Sequence, residues 1–319
     1  MSNDRYSGLR MRFNTKDLSK PPEDYKSTAY IPERFERAIL KHIILNNTAL
    51  EINNNQFPLL LGIQGPYGFG KTYMVKEICR KYKIELHPLS TSELSGSMEA
   101  DSTRHLKRIY STLCADIWQN KRCGVLLIDD FHLTIATEDT LGKTVNSNIL
   151  AAYLMNLCDN PVVVTNVRAP IILTGNNFRR IYPAIVRDGR MDIFTWDPSI
   201  KEIDPIVRQL FRTKFAGVED DVLTAMLDRY AEMNIAFFEQ VTQDLMNSSV
   251  TQAIEAFKAA EGAMTVSQVS ATVKSSLSAM DLSKEHVMEV CRLRKEATLV
   301  NFERSNLAIL RQGADQASL

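Results

Sequence analysis

No stretch of this 319-residue sequence is apolar for long enough to span a bilayer, so no membrane-crossing helix is expected. Paired cysteines are missing too. The five cysteines, Cys79, Cys114, Cys123, Cys158 and Cys291, form no C-x-x-C, and their number is odd. That argues against a disulfide framework or a zinc ribbon and for reduced thiols in a cytosol-like compartment. The five histidines, among them His87, His105 and His132, show no metal-ligand spacing and read as core or surface residues. Excess charge of either sign is also absent: 38 basic side chains face 38 acidic ones. Bulk electrostatics therefore offers nothing to a nucleic acid or a membrane surface, and neither is expected as a partner. The first residues mix Asp4, Arg5, Arg10 and Arg12 with no apolar core, which predicts no secretory signal. What remains is an ordinary soluble composition, 45% hydrophobic and 24% charged, long enough for more than one domain.

One local feature dominates. Gly65-Pro66-Tyr67-Gly68-Phe69-Gly70-Lys71-Thr72 fits the phosphate-loop pattern G-x-x-x-x-G-K-[ST] at every fixed position. The apolar run Leu59 to Ile63 leads in as a buried strand. Thr72 to Tyr82, with Tyr73 in its first turn, leads out as a helix whose apolar face is Met74, Val75 and Ile78. Strand, glycine loop and helix together make a site out of a pattern. The glycines let backbone N–H groups converge on phosphate oxygens, and the helix N-terminus adds positive potential. Lys71 is expected to reach the β- and γ-phosphates, and the Thr72 hydroxyl to ligand Mg²⁺.

Around this motif the chain divides into four segments. Residues 1–28 are polar, with Pro21-Pro22 as a linker signal, and are expected to be flexible. Residues 29–196 alternate strand and helix patterns. Pro32 opens a helix expected to bury Phe35, Ile39, Ile43 and Leu45. Ile84–Leu89, Val125–Ile128, Ile171–Thr174 and Ile193–Thr195 are strand candidates, with helices near 102–118 and 146–157. The fold class is α/β: a parallel sheet flanked by helices. At Asp197-Pro198 strand signals stop, and residues 197–265 read as a smaller all-helical lid, with helices near 206–215 and 222–230. Residues 266–319 form a helical tail whose role is open.

A phosphate loop needs a carboxylate partner. Asp129-Asp130 closes the apolar strand Val125–Ile128, and a carboxylate at that end of a parallel strand lies beside the phosphates. One of the pair is expected to orient Mg²⁺, with Asp129 as its ligand, and the other to position the attacking water. Asn176, after the next strand, is expected to hydrogen-bond that water or the γ-phosphate. Arg187 and Arg190, in Arg187-Asp188-Gly189-Arg190, are candidates to reach a neighbouring subunit's nucleotide, since a planar guanidinium meets charge developing on the transferred group.

The order of these features resembles an AAA+ ATPase and, more closely, the Rubisco activase family. The likeness runs from about Tyr30 to Phe238. It rests on Tyr30-Ile31-Pro32, Pro58 to Lys71, Ser90 to Leu94 with Gly96, Thr144-Val145-Asn146, Leu154-Met155-Asn156 with Asp159-Asn160-Pro161, Thr174-Gly175-Asn176 and Ile185 to Met191. It implies a ring-forming, chaperone-like ATP hydrolase, a hexamer that frees Rubisco of inhibitory sugar phosphates. Arg187 and Arg190 are then intersubunit arginines, Asn176 is a first sensor, and loops Ser92–Met98 and Thr134–Lys143 face a central pore. The implied setting is a bacterial or cyanobacterial cytoplasm, or the chloroplast stroma for a mature plastid protein. No arginine stands at Thr242 to Asp244, where the family carries a second sensor, and the plant recognition domain at the N-terminus is largely missing. A motor with a different protein client, a nucleic-acid loader and a nucleotide-binding scaffold without turnover are the alternatives.

Overall fold

A computed structural model describes residues 28–53, 56–90, 101–131, 145–161, 167–178, 181, 183–215, 217–260 and 265–316. The expected flexible N-terminal segment and the two expected pore loops lie outside the described residues, apart from Thr28.

Five short strands form one all-parallel sheet: β1 (Leu60–Gln64), β2 (Glu85–Ser90), β3 (Gly124–Asp129), β4 (Ile171–Gly175) and β5 (Met191–Thr195), in the order β2-β3-β4-β1-β5. Because successive side chains in a strand point to opposite faces, each strand feeds two cores. Leu60, Leu126, Ile128, Ile171 and Leu173 point to one face and pack beneath α3 (Asp101–Asn120) and α4 (Val145–Asp159). Leu61, Ile63, Val125, Leu127 and Ile172 point to the other and pack against α1 (Glu33–Thr48) and α2 (Lys71–Lys81). Buried on both faces, β1, β3 and β4 read as apolar runs, which is why a parallel sheet was expected, whereas the edge strands β2 and β5 are more exposed. The ends of β1, β3 and β4 nearest α2 carry Gln64, Asp129 and Gly175, so their following loops gather on one rim. A four-residue helix α5 (Pro183–Val186) precedes β5.

Beyond β5 the chain is helical: α6 (Ile200–Lys214), α7 (Asp220–Arg229), α8 (Ile235–Ala260), α9 (Val266–Ser278) and α10 (Lys284–Gln316). The reading from sequence began α6 after Pro205, whose missing N–H argues against a helix interior. The helix instead starts ahead of it, at Ile200, because Ser199 and Glu202 form a capping box that satisfies the first turn. Val207, Phe211, Leu223, Met226, Phe238, Val241 and Leu245 fill a separate lid core. Val287 and Cys291, one turn apart on α10, are fully buried in that core, so the start of the last helix packs as part of the lid. By contrast α9 buries none of its residues. Phe69 and Ile206 pack against the lid core and the sheet core at once and join the two.

None of the five cysteines is bonded to another, and Cys79, Cys114 and Cys291 are buried. Burial pushes the Cys79 and Cys291 thiols up to about 12. Among the described residues no helix is long and apolar enough to cross a membrane.

Docking of α10 predicts a contrast. Val287→Asp should lower the thermal unfolding midpoint by several degrees, since an unpaired carboxylate would enter a dry core. Val266→Asp, at a position 87% exposed on α9, should leave it unchanged. Equal midpoints for the two variants would mean that α10 does not close the lid core.

Candidate nucleotide-binding site

The phosphate loop is held open from behind. Gly65 passes so close to β5 that an added Cβ would lie 1.9 Å from the Trp196 carbonyl oxygen. The Trp196 backbone N–H donates to Gln64 O at 2.7 Å, and its indole Nε1–H donates to Phe69 O at 2.9 Å. Gly68 (φ 78°) and Gly70 (φ 73°) adopt left-handed backbone, which steers the loop into α2 without side chains in the way. Gly70 gives α2 no side-chain cap, so the first N–H groups of the helix are left to an outside acceptor. Lys71 is buried, and its Nζ donates to the carbonyls of Gly65 at 2.9 Å and Pro66 at 2.7 Å. Burial lowers its pKa, while Asp130 and Asp129 nearby pull it back up. An uncapped helix start beside a buried ammonium is a fitting cradle for phosphate oxygens.

Facing the loop is a junction of two strands, β3 and β4, with the start of α2. The Asp129 carboxylate, at the end of β3, takes a hydrogen bond from Thr72 Oγ1 at 2.5 Å through its Oδ1. Thr174 Oγ1, from β4, and the Asp130 backbone N–H also donate to that oxygen. Asp130 itself turns into left-handed backbone (φ 50°), and its N–H also reaches Thr174 Oγ1 at 3.1 Å. The Thr72 hydroxyl and Asp129 carboxylate together make an oxygen donor pair suited to a hard cation such as Mg²⁺.

These groups line a cleft of about 760 Å³ that also takes in Asn176, Tyr67 and Tyr73. Its opposite wall belongs to the lid: Ile206, Gln209, Leu210, Thr213 and Lys214 of α6, with Ile235, Ala236 and Glu239 of α8. Thr28 to Tyr30 close one end. The apolar part of this wall suits a flat base, and the glycine loop suits a phosphate chain. The lid also grips the loop directly. Asn234 Nδ2 donates to Tyr67 O at 3.3 Å, and the Ala236 N–H donates to Gly68 O at 2.9 Å.

The fold thus brings together Gly68, Gly70, Lys71, Thr72, Tyr73, Asp129, Asp130 and Asn176, with Gly65, Pro66 and Phe69 shaping the loop behind them. It sets Arg187 and Arg190 apart. Neither lines the cleft, and the two differ. Arg187 is exposed, whereas Arg190 forms a two-point pair with Asp159 of α4, at 3.1 and 2.7 Å, and donates to Ala184 O at 2.8 Å. Sequence reasoning gave no role to Thr174, Trp196, Asn234 or Lys214. Each acts across a long sequence separation with no local motif to flag it. On β2, far along the sheet order, His87 pairs with Asp116 at 3.0 Å beside Glu85.

Residues 61–198 match the ATPase family associated with various cellular activities (AAA). The chain is 30% identical over 241 residues to the chloroplastic ribulose bisphosphate carboxylase/oxygenase activase of Vigna radiata var. radiata, a match covering 73% of this chain and 52% of that protein. It is 28% identical over 235 residues to the Arabidopsis thaliana activase (71% and 49%), and 32% identical over 218 residues to activase 1 of Larrea tridentata (66% and 45%). The chain spans about half the length of the curated relatives it matches. It carries an AAA-type ATPase domain and is Rubisco activase-like.

The Asp129 junction can be tested without disturbing the phosphate loop. Thr174→Val keeps the shape but removes one donor to Asp129 and the acceptor for the Asp130 N–H. Nucleotide binding should survive while hydrolysis falls at least about tenfold, the size of one charge-assisted hydrogen bond. Unchanged turnover in a steady-state ATPase assay would remove Thr174 from the site.

Proposed function

We propose that this chain is an ATP-driven motor that works as a ring of six identical copies. Its client is Rubisco, which it frees of inhibitory sugar phosphates. The single observation that carries the motor half is the cleft in which Lys71, the Thr72–Asp129 pair and a lid wall meet. The client half draws on the relatives, whose names are those of ribulose bisphosphate carboxylase/oxygenase activases. The working place is a cytoplasm or a chloroplast stroma.

Bound ATP with Mg²⁺ would supply a phosphoryl group for transfer to water, with the metal neutralising developing charge. The chain's own groups divide the remaining work. Lys71 meets the phosphate charge, its Nζ already held at the loop by two carbonyls. Thr72 and Asp129 hold the metal, and Thr174 keeps the Asp129 carboxylate turned toward Thr72. Asp130 and Asn176 line the same cleft and position the water. The exposed Arg187 is the arginine offered to a neighbouring copy's nucleotide, while Arg190, paired with Asp159, fixes the turn that presents it.

Reactivation of sugar-phosphate-inhibited Rubisco from the same source tests the whole reading, with ATP present and Lys71→Ala as control. Recovery with the wild type and not with the variant is the expected result. Hydrolysis without recovery would reject Rubisco and keep the motor, and a DNA-stimulated ATPase with steep salt dependence would favour a loader. A second assay addresses the ring. Arg187→Ala should bind ATP normally, lose about a thousandfold or more in turnover and poison mixed assemblies. Normal turnover would end its assignment in trans.

A further inference from the structure

The cleft's charges do not favour a polyanion. Its lining carries three carboxylates, Asp129, Asp130 and Glu239, against two cations, Lys71 and Lys214. A metal held between Thr72 and Asp129 would offset part of that excess on the sheet side only. On the lid side Glu239 faces the cleft, and Lys214 is the one cation lining that wall among the described residues. Anions enter such a cleft only where cations meet them at close range, because Coulomb energy falls with distance and with water between the charges.

Lys214 is placed for this. It ends α6, and its Nζ donates to Thr242 Oγ1 of α8 at 2.8 Å. Thr242 is fully buried and its hydroxyl donates a hydrogen bond to the Glu239 backbone carbonyl at 2.7 Å, so its oxygen is turned to receive the ammonium. The Lys214 contact to Glu239 Oε1 is long, at 3.4 Å. Other lid cations are spent elsewhere. Arg294 forms a two-point pair with Asp244, Arg208 pairs with Asp204 at 2.8 Å, and Arg212 with Asp220 at 2.5 Å. Lys214 alone combines an oriented ammonium, a loose carboxylate partner and a place in the cleft.

We propose that Lys214 is the lid's contact to the nucleotide's phosphates, and that it exchanges Glu239 for them on binding. This rests on the nucleotide reading of the cleft. The exchange tells the lid whether the cleft is loaded. Lys214 is anchored between α6 and α8, and α8 begins with the Asn234 and Ala236 bonds to the phosphate loop. A charge shift at Lys214 is therefore transmitted to two lid helices and to the loop beneath them.

Binding of ATP with Mg²⁺ to the full chain, measured by titration calorimetry, tests the proposal without relying on turnover. Lys214→Ala should weaken ATP about tenfold, the size of one charge-assisted hydrogen bond, and Lys214→Arg should restore most of that loss. The double variant Lys214→Ala, Glu239→Gln separates contact from mere neutralisation. If Lys214 touches phosphate, the double variant stays weak. If the lysine only offsets Glu239, the double variant recovers wild-type affinity and the proposal falls. Wild-type affinity in Lys214→Ala also overturns it. Lys71→Ala is the control: loss of binding there with none in Lys214→Ala rejects the lid contact alone, whereas retained binding in Lys71→Ala rejects the nucleotide reading itself.

Discussion

Trp196 touches three parts of the chain that must hold still for phosphates to bind. Its backbone N–H caps the end of β1 at Gln64, its indole N–H holds the loop carbonyl of Phe69, and its carbonyl leaves room only for a glycine at position 65. The ring is fully buried and packs edge-on against Phe35 of α1 at 5.0 Å. On its other side the Arg34 guanidinium lies 4.5 Å from the ring centre and reaches Glu202, in the first turn of the lid. That contact holds the Glu202 carboxyl below the usual carboxylate range. The residue that shapes the phosphate loop is thus also the residue at which the chain leaves the sheet for the lid. The boundary Asp197-Pro198 therefore lies next to the residue that braces the loop.

The second dependence is electrostatic. Asp129 sits at the end of a strand buried on both faces, where a lone carboxylate would be costly without hydrogen bonds. Thr72, Thr174 and the Asp130 N–H supply them, one from each of three successive elements around the rim. The same three donors fix the direction of the carboxylate before any cation arrives. Preorganisation of this kind removes a reorganisation cost from the step that uses it. Asp130 follows from the same arrangement. Its left-handed backbone lets its N–H turn back to Asp129 and Thr174 while the residue stays exposed and lines the cleft.

Legibility in the sequence followed the range of the interactions. The sheet could be read because its central strands β1, β3 and β4, buried on two faces, leave apolar runs, and the phosphate loop because its geometry demands glycines at fixed spacing. Asp129, Asp130 and Asn176 could be read from their place just after strands. Trp196, Thr174 and Asn234 could not, because what they do depends on partners from 44 to 167 residues away in sequence. Arg187 and Arg190 looked equivalent in a four-residue stretch. Only the fold distinguishes them, by bringing Asp159 of α4 against one and not the other. The start of α6 was hidden by Pro205, and the docking of α10 by a pattern in which, among its described side chains, only Val287 and Cys291, spaced i to i+4, are fully buried.

The lid meets the cleft through contacts of two opposite characters, backbone bonds to the loop and a charge pair of its own, and the proposed exchange depends on that difference. The Asn234 and Ala236 bonds reach backbone carbonyls of Tyr67 and Gly68, which no ligand removes. Phe69 and Ile206 add apolar contact shared by the two cores. These hold α8 and α6 to the loop through backbone and apolar contacts. Lys214 and Glu239, by contrast, meet at 3.4 Å in an open cleft, where an ion pair is worth little and water competes for both partners. Under the proposed exchange, fixed backbone bonds beside an exchangeable charge pair would keep the lid attached while its electrostatic balance changes. A buried, tightly bonded pair at the same place would resist exchange, and a lid without the backbone bonds would lose its register with the loop.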